Sequence, residues 1–217
     1  MASPADTDHP APSTPTLAES VGGPMGMLET ALPTAAFVIA YAITGSDTNT
    51  AAIVAVVLAV LLSAARLVRR ESPRHALTGL VGVAFAAFIA ARSGRAENFF
   101  LPGLLANAAY AAAFVVSIAV RRPLVGEIVS RLDGEGPEWR DDPVRMRAFT
   151  RASWLWAGLF LARLVVQTPL YVAGAVVALG IARTAMGLPL FGLGAWMTWR
   201  MVRRAAEEEP EPEPDET

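Results

Sequence analysis

The sequence predicts an all-α, polytopic membrane helix bundle of about six transmembrane helices, on three observations. Of the 217 residues, 53% are hydrophobic, above the about 45–50% typical of a soluble domain even when that figure includes glycine. The apolar residues gather into long blocks instead of alternating with polar ones. Arginine concentrates in every second loop between those blocks, as the positive-inside rule requires of a multi-pass protein of the inner membrane.

A helix crosses the hydrocarbon core in about 20 mostly apolar residues. Blocks at 28–44, 50–68, 75–91, 99–120, 149–171 and 174–201 qualify. Gly22-Gly23-Pro24 precedes the first. Ser72-Pro73 supplies a capping hydroxyl and a first-turn proline for the third, and Asn98 is placed to cap the fourth. Asp142-Pro143 starts a helix that runs on into the fifth. The sixth block is long and interrupted at Gly187-Leu188-Pro189. Residues 1–20 lack the basic and apolar regions of a signal peptide and, rich in Pro, Ser and Thr, are expected to be disordered. Residues 21–204 form the membrane domain, and 205–217 an acidic, solvated tail.

All 18 basic residues are arginine, and the net charge is −2. That figure conceals an asymmetry, because acids crowd the two tails and leave the middle of the chain at about +8. With the N-terminus inside, the cytoplasmic loops hold fourteen arginines and the outer loops only Arg92 and Arg95. Both termini are therefore expected in the cytoplasm. Trp154, Trp156, Trp196 and Trp199 fall near the cytoplasmic interface in the same frame, where an indole finds both apolar and polar neighbours.

The long inner loop contains Pro123–Leu132, with Leu124, Val125, Ile128, Val129 and Leu132 on one helical face. It reads as a short amphipathic helix, either on the inner leaflet or packed under the bundle. Leu-Pro recurs at Leu32-Pro33, Leu101-Pro102 and Leu188-Pro189, and Arg-x5-Pro-Leu-aromatic occurs at Arg163 and at Arg183. An inverted 3+3 repeat pairing spans one and four is one reading of this recurrence.

The inventory for catalysis is thin. There is no cysteine, which excludes disulfides, thiolate metal sites and thiol nucleophiles. The histidines are His9 in the head and His75 at the mouth of span three. No zincin, nucleophile-elbow or phosphate-loop motif occurs, so no catalytic residue, metal or cofactor is assigned and no nucleic-acid partner is expected. Glu29, about a turn inside span one, is expected at the interface or paired with arginine.

Arg163 and Arg183 stand out. An arginine at mid-helix costs about 2.5–3.5 kcal/mol on insertion scales, so it faces the bundle and takes a partner. Both lie about 12 Å from the outer end, beneath Arg92 and Arg95, with Asp47 and Glu97 as the outer carboxylates. Read functionally, the four arginines form a cationic site for an anionic substrate or lipid phosphate. Read structurally, Arg163 and Arg183 snorkel outward or bond carbonyls freed at Pro169 and Pro189. Asn107, Tyr110 and Gln167 are expected to make interhelical hydrogen bonds. The small residues of span three (Gly79, Gly82, Ala86, Ala90) and span four (Ala106, Ala109, Ala113) are expected to pack helices.

The segments VGGPMGMLETALP, SGRAENFFLPGLLANAAYA, RRPLVGEIV, TPLY and GLPLF resemble a family of actinobacterial membrane proteins classed as a domain of unknown function, from about Val21 to Arg204. A more distant resemblance is to the septation protein A family of inner-membrane proteins. It rests on the Leu-Pro of span one followed by Phe37 and Tyr41, on Arg122-Pro123-Leu124, and on Trp139 and Trp154. That resemblance implies a link to cell division or envelope maintenance and supplies no catalytic residues. The first functional reading is a non-enzymatic envelope protein that acts through contacts with the lipid bilayer and with other membrane or division proteins. The second is a small transporter or flippase-like carrier that binds an anionic lipid or other anion at the arginines.

Overall fold

The computed structural model describes residues 23–70, 73–134 and 136–207, with side chains over 31–70, 77–134 and 136–205. The N-terminal tail, the tail beyond Glu207, Ser72 and the side chains of Glu29 and His75 lie outside these. Every regular element among the described residues is helical.

Helix α1 (Gly23–Ile43) ends in a turn whose Gly45 and Ser46 hold φ of 70° and 75°. Asp47 then caps α2 (Thr48–Val68), accepting from the backbone N–H groups of Asn49 at 3.1 Å and Thr50 at 3.4 Å and from the Thr50 hydroxyl. Those donors hold the Asp47 carboxyl below the usual carboxylate range. Helix α3 (Pro73–Ser93) starts at its proline. A 3-10 turn, Ala96–Phe100, leads into α4 (Leu101–Ala119). The inner-loop helix is α5 (Leu124–Leu132), followed by a second 3-10 turn, Pro137–Arg140. Asp142 caps α6 (Pro143–Val172) through the Val144 N–H at 2.7 Å. The expected interruption of the last span is present, as α7 (Val176–Ala185) and α8 (Leu188–Glu207) are separated by Met186-Gly187.

Four helical stretches among the described residues are long and apolar enough to cross a membrane: Thr48–Val68, Ala96–Ala119, Pro143–Val172 and Val176–Ala205. The first and third expected spans appear as shorter apolar helices, Ala31–Ile43 and Leu77–Ser93. Side chains are described in α1 only from Ala31 and in α3 only from Leu77. Large apolar side chains point outward all round, Ile53, Phe88 and Val165 among them. A soluble monomer rarely carries so continuous an apolar surface, and with the four long helices this points to a membrane protein.

Alanines let the first three helices approach closely. Ala51, Ala52 and Ala55 of α2 and Ala86, Ala87 and Ala90 of α3 are buried against one another and against Phe37. In the second half α4 lies on α6 and α6 on α8, while α7 bridges α1 and α6. An aromatic cluster joins the halves at one end. Phe37 stacks on Phe99 at 4.0 Å, and Phe100 meets both edge-on at 6.2 and 5.5 Å.

Helix α5 uses its apolar face twice. Val125 is buried against Phe149 and Ala152 of α6, and its N–H donates to Ser153 Oγ at 3.2 Å. Ile128 and Leu132 remain exposed. The Leu-Pro recurrence gains no support as a 3+3 repeat, because Pro33 lies inside α1 while Pro102 sits in the first turn of α4.

Candidate functional site

Helix α6 carries Arg163, Gln167 and Tyr171 at four-residue intervals, which places them on one face. Aromatic contacts fix how that face meets the antiparallel α4: Tyr110 lies 5.2 Å from Phe160, and Phe114 stacks on Trp156 at 6.4 Å. At the far end the Tyr171 hydroxyl donates to Asn98 Oδ1 at 2.5 Å. This register puts Asn107 level with Arg163 and Gly103 level with Gln167.

The last span completes the enclosure. Leu159 occupies the space beside Gly194, and the Arg163 guanidinium donates to the Gly187 carbonyl at 3.0 Å, within the break. Continued upward, that register brings Arg183 of α7 to the level of Gln167. Its guanidinium lies where a Cβ on Gly103 would stand, 5.9 Å from the centre of the Phe100 ring. Only glycine leaves room there.

The electrostatics are unbalanced. Arg163 is close enough for its charge to act on Arg183. No carboxylate pairs with either among the described residues, and Arg183 makes no hydrogen bond there. Arg163 keeps a buried Nε without a partner, and so does the carbonyl oxygen of Gln167, a residue only 2% exposed. A cation at such a site normally draws in a counter-charge.

The model of a protein family described as of unknown function, DUF3159, matches residues 21–209. The chain belongs to the DUF3159 family. No curated protein and no solved structure matches it. The DUF3159 match takes in every residue of the arginine site.

The four arginines expected together are divided by the structure. Arg163 and Arg183 converge, whereas Arg95 donates from Nε to Glu97 at 2.6 Å and is not an unpaired cation. The tight 3-10 turn brings residues two apart into contact, and Glu97 raises the Arg95 guanidinium further above its usual value. Arg92 lies 6.0 Å from the exposed Phe88 ring. Asn98 does not cap α4, because the 3-10 turn intervenes and its side chain goes to Tyr171. Nor does Arg163 bond a carbonyl at Pro169, since it reaches across to α8's approach.

Asn107 and Tyr110 make no side-chain hydrogen bond among the described residues, and the Tyr110 ring instead packs on Phe160. Interhelical hydrogen bonds instead include Tyr171 to Asn98 and Trp156 Nε1 to Thr198 Oγ1 at 3.0 Å. Gly103 and Phe100 escaped the sequence reading. Their only signal is a glycine following Leu101-Pro102 at a helix start.

Proposed function

We propose that this DUF3159 protein is a six-crossing membrane protein, both termini inside, that binds an oxyanion between Arg163 and Arg183 without chemical turnover. The oxyanion is a lipid phosphate or a small free anion. The observation that carries this reading is Arg183: a guanidinium seated over Gly103, within reach of the Arg163 charge, with no acid paired to either among the described residues. Guanidinium and amide groups bind anions but serve neither as general base nor as nucleophile near neutral pH, which favours holding over catalysis. Support for six crossings comes from the arginine distribution and from α1 and α3, whose apolar parts are shorter than the other four.

Substitution separates a ligand site from a structural one. Arg183 has no hydrogen bond to lose among the described residues, so Arg183→Gln should melt in detergent within a few degrees of wild type. The rise in Tm that inorganic phosphate gives the wild type should vanish. Arg163→Gln loses the bond to Gly187 as well, costing about 1.5–3 kcal/mol of basal stability. A destabilised Arg183→Gln, or a wild type whose Tm no anion moves, would reject the site.

The Arg163–Gly187 hydrogen bond also favours a second reading, a non-enzymatic envelope or cell-division protein whose arginines only brace the broken span. Resemblance to the septation protein A family lends it context. Under that reading both variants lose stability and phosphate changes nothing.

The crossing count has its own test in a chain without cysteine. A cysteine at Ser46 or Asn49 should react with an impermeant thiol reagent on intact cells. One at Asp133 should react only after permeabilisation, and reaction there in intact cells would contradict the topology. Asp133 is preferable to Ser130, which is 4% exposed and hydrogen-bonded to the Gly126 carbonyl.

A further inference from the structure

We infer that the ligand of the arginine pair is an oxyanion that still carries a proton, hydrogen phosphate or a phosphate monoester headgroup. This rests on the anion-binding reading above. Arginine alone cannot choose among oxyanions, because a guanidinium donates and never accepts. The choice falls to Gln167, whose buried carbonyl oxygen has no donor among the described residues.

The donors around it have other tasks. Arg163, one turn away on the same face, gives one amino group to Gly187 and keeps its buried Nε–H for the anion's charge. Tyr171, one turn the other way, donates to Asn98. Across the register stands Gly103, which has no side chain, with the Arg183 guanidinium laid over it and over Phe100. A buried carbonyl left unmatched is costly, and with both guanidinium groups turned to the anion's charge a donor on the ligand satisfies it.

A fully deprotonated oxyanion brings only acceptors, and its oxygen lone pairs would face that of Gln167. An oxyanion with one O–H answers both demands. Its charge goes to Arg163 and Arg183, and its proton to Gln167 Oε1. A site built around a ligand's O–H discriminates against the analogue that lacks it.

The test uses charge-matched pairs that differ by a proton, titrated into the full-length protein in uncharged detergent. At about pH 8 hydrogen phosphate and sulfate are both doubly charged. At about pH 5, below a monoester's second pKa of about 6, phosphatidic acid and the donor-free phosphatidylmethanol are both singly charged. Hydrogen phosphate should bind about tenfold or more tighter than sulfate. Gln167→Met should reduce that ratio to near one, weakening hydrogen phosphate and relieving the repulsion on sulfate. A matching preference for phosphatidic acid identifies a lipid headgroup as the source, and a response to hydrogen phosphate without one identifies a free anion.

Should Gln167→Met fail to fold, the wild type still decides. Raising the pH from about 5 to about 8 adds charge to phosphatidic acid and removes its proton, so its binding should weaken. In the free-anion case the phosphate-to-sulfate ratio decides alone. Equal binding of both members of each pair, all lost in Arg183→Gln, overturns the protonated class and leaves the arginine site standing. A preference that survives Gln167→Met also overturns it. No response to any of the four probes overturns both readings.

Discussion

Gly103→Ala should leave the protein as stable as wild type, or slightly more so, while weakening anion binding about tenfold to a hundredfold. The added Cβ would occupy the position of the Arg183 guanidinium. That group is the far end of a flexible side chain, so it can swing away at little cost in folding. Alanine in place of glycine gains up to about 1 kcal/mol of helix propensity. The displaced guanidinium no longer meets the ligand, and a lost hydrogen bond to a charged group is worth about 1.5–3 kcal/mol. Thermal melting and phosphate titration on the same sample report the two effects separately. A variant that binds phosphate normally would show that the seat over Gly103 has no part in binding.

The largest effect on folding is expected at Trp139. Its indole is 2% exposed, meets Phe149 edge-on at 5.1 Å, and fills the notch left by Gly126. Arg140 lies 5.5 Å from its ring centre and pairs with Glu127 of α5. Trp139→Ala removes the wedge that holds α5 against α6, and should cost about 3–5 kcal/mol. The reciprocal change, Gly126→Val, should destabilise by driving a side chain into the same ring. Trp139→Ala should also open residues 133–141 to limited proteolysis while phosphate binding survives in the remaining folded fraction. A cost below about 1 kcal/mol would mean that this segment is held by other contacts.

Most features that the chain announces locally agree with the structure, the cap expected at Asn98 excepted. Glycine without a Cβ and proline without an N–H mark the break at Gly187-Leu188-Pro189, and α8 begins at Leu188. Asp142-Pro143 combines a cap with a first-turn proline and does start α6. The apolar face after Pro123 forms α5, although its choice between leaflet and bundle depended on where Trp139 and Phe149 lie. Arg163 and Arg183 were visible as charges misplaced in apolar helices.

What the sequence concealed depends on register. The pairing of Arg95 with Glu97 needs the tight pitch of the Ala96–Phe100 turn, which ordinary helical spacing does not suggest. The meeting of Arg183 with Gly103 joins residues far apart in the chain, and only the contacts of Phe114 with Trp156 and of Tyr110 with Phe160 set their common level. For the same reason Asn107 and Tyr110 could not be given partners in advance. One shows no side-chain hydrogen bond among the described residues and the other packs through its ring.

Anomalous diffraction from crystals of the full-length protein soaked in arsenate tests the central claim most directly. Arsenate copies hydrogen phosphate in shape, charge and retained proton, and arsenic can be located independently of the surrounding density. The account predicts an arsenic peak inside the bundle, with oxygens within about 3 Å of the guanidinium groups of both Arg163 and Arg183, beside Gln167 and over Gly103. Arsenic bound only at surface arginines, with Arg163 still on Gly187 and Arg183 still on Phe100, would contradict it.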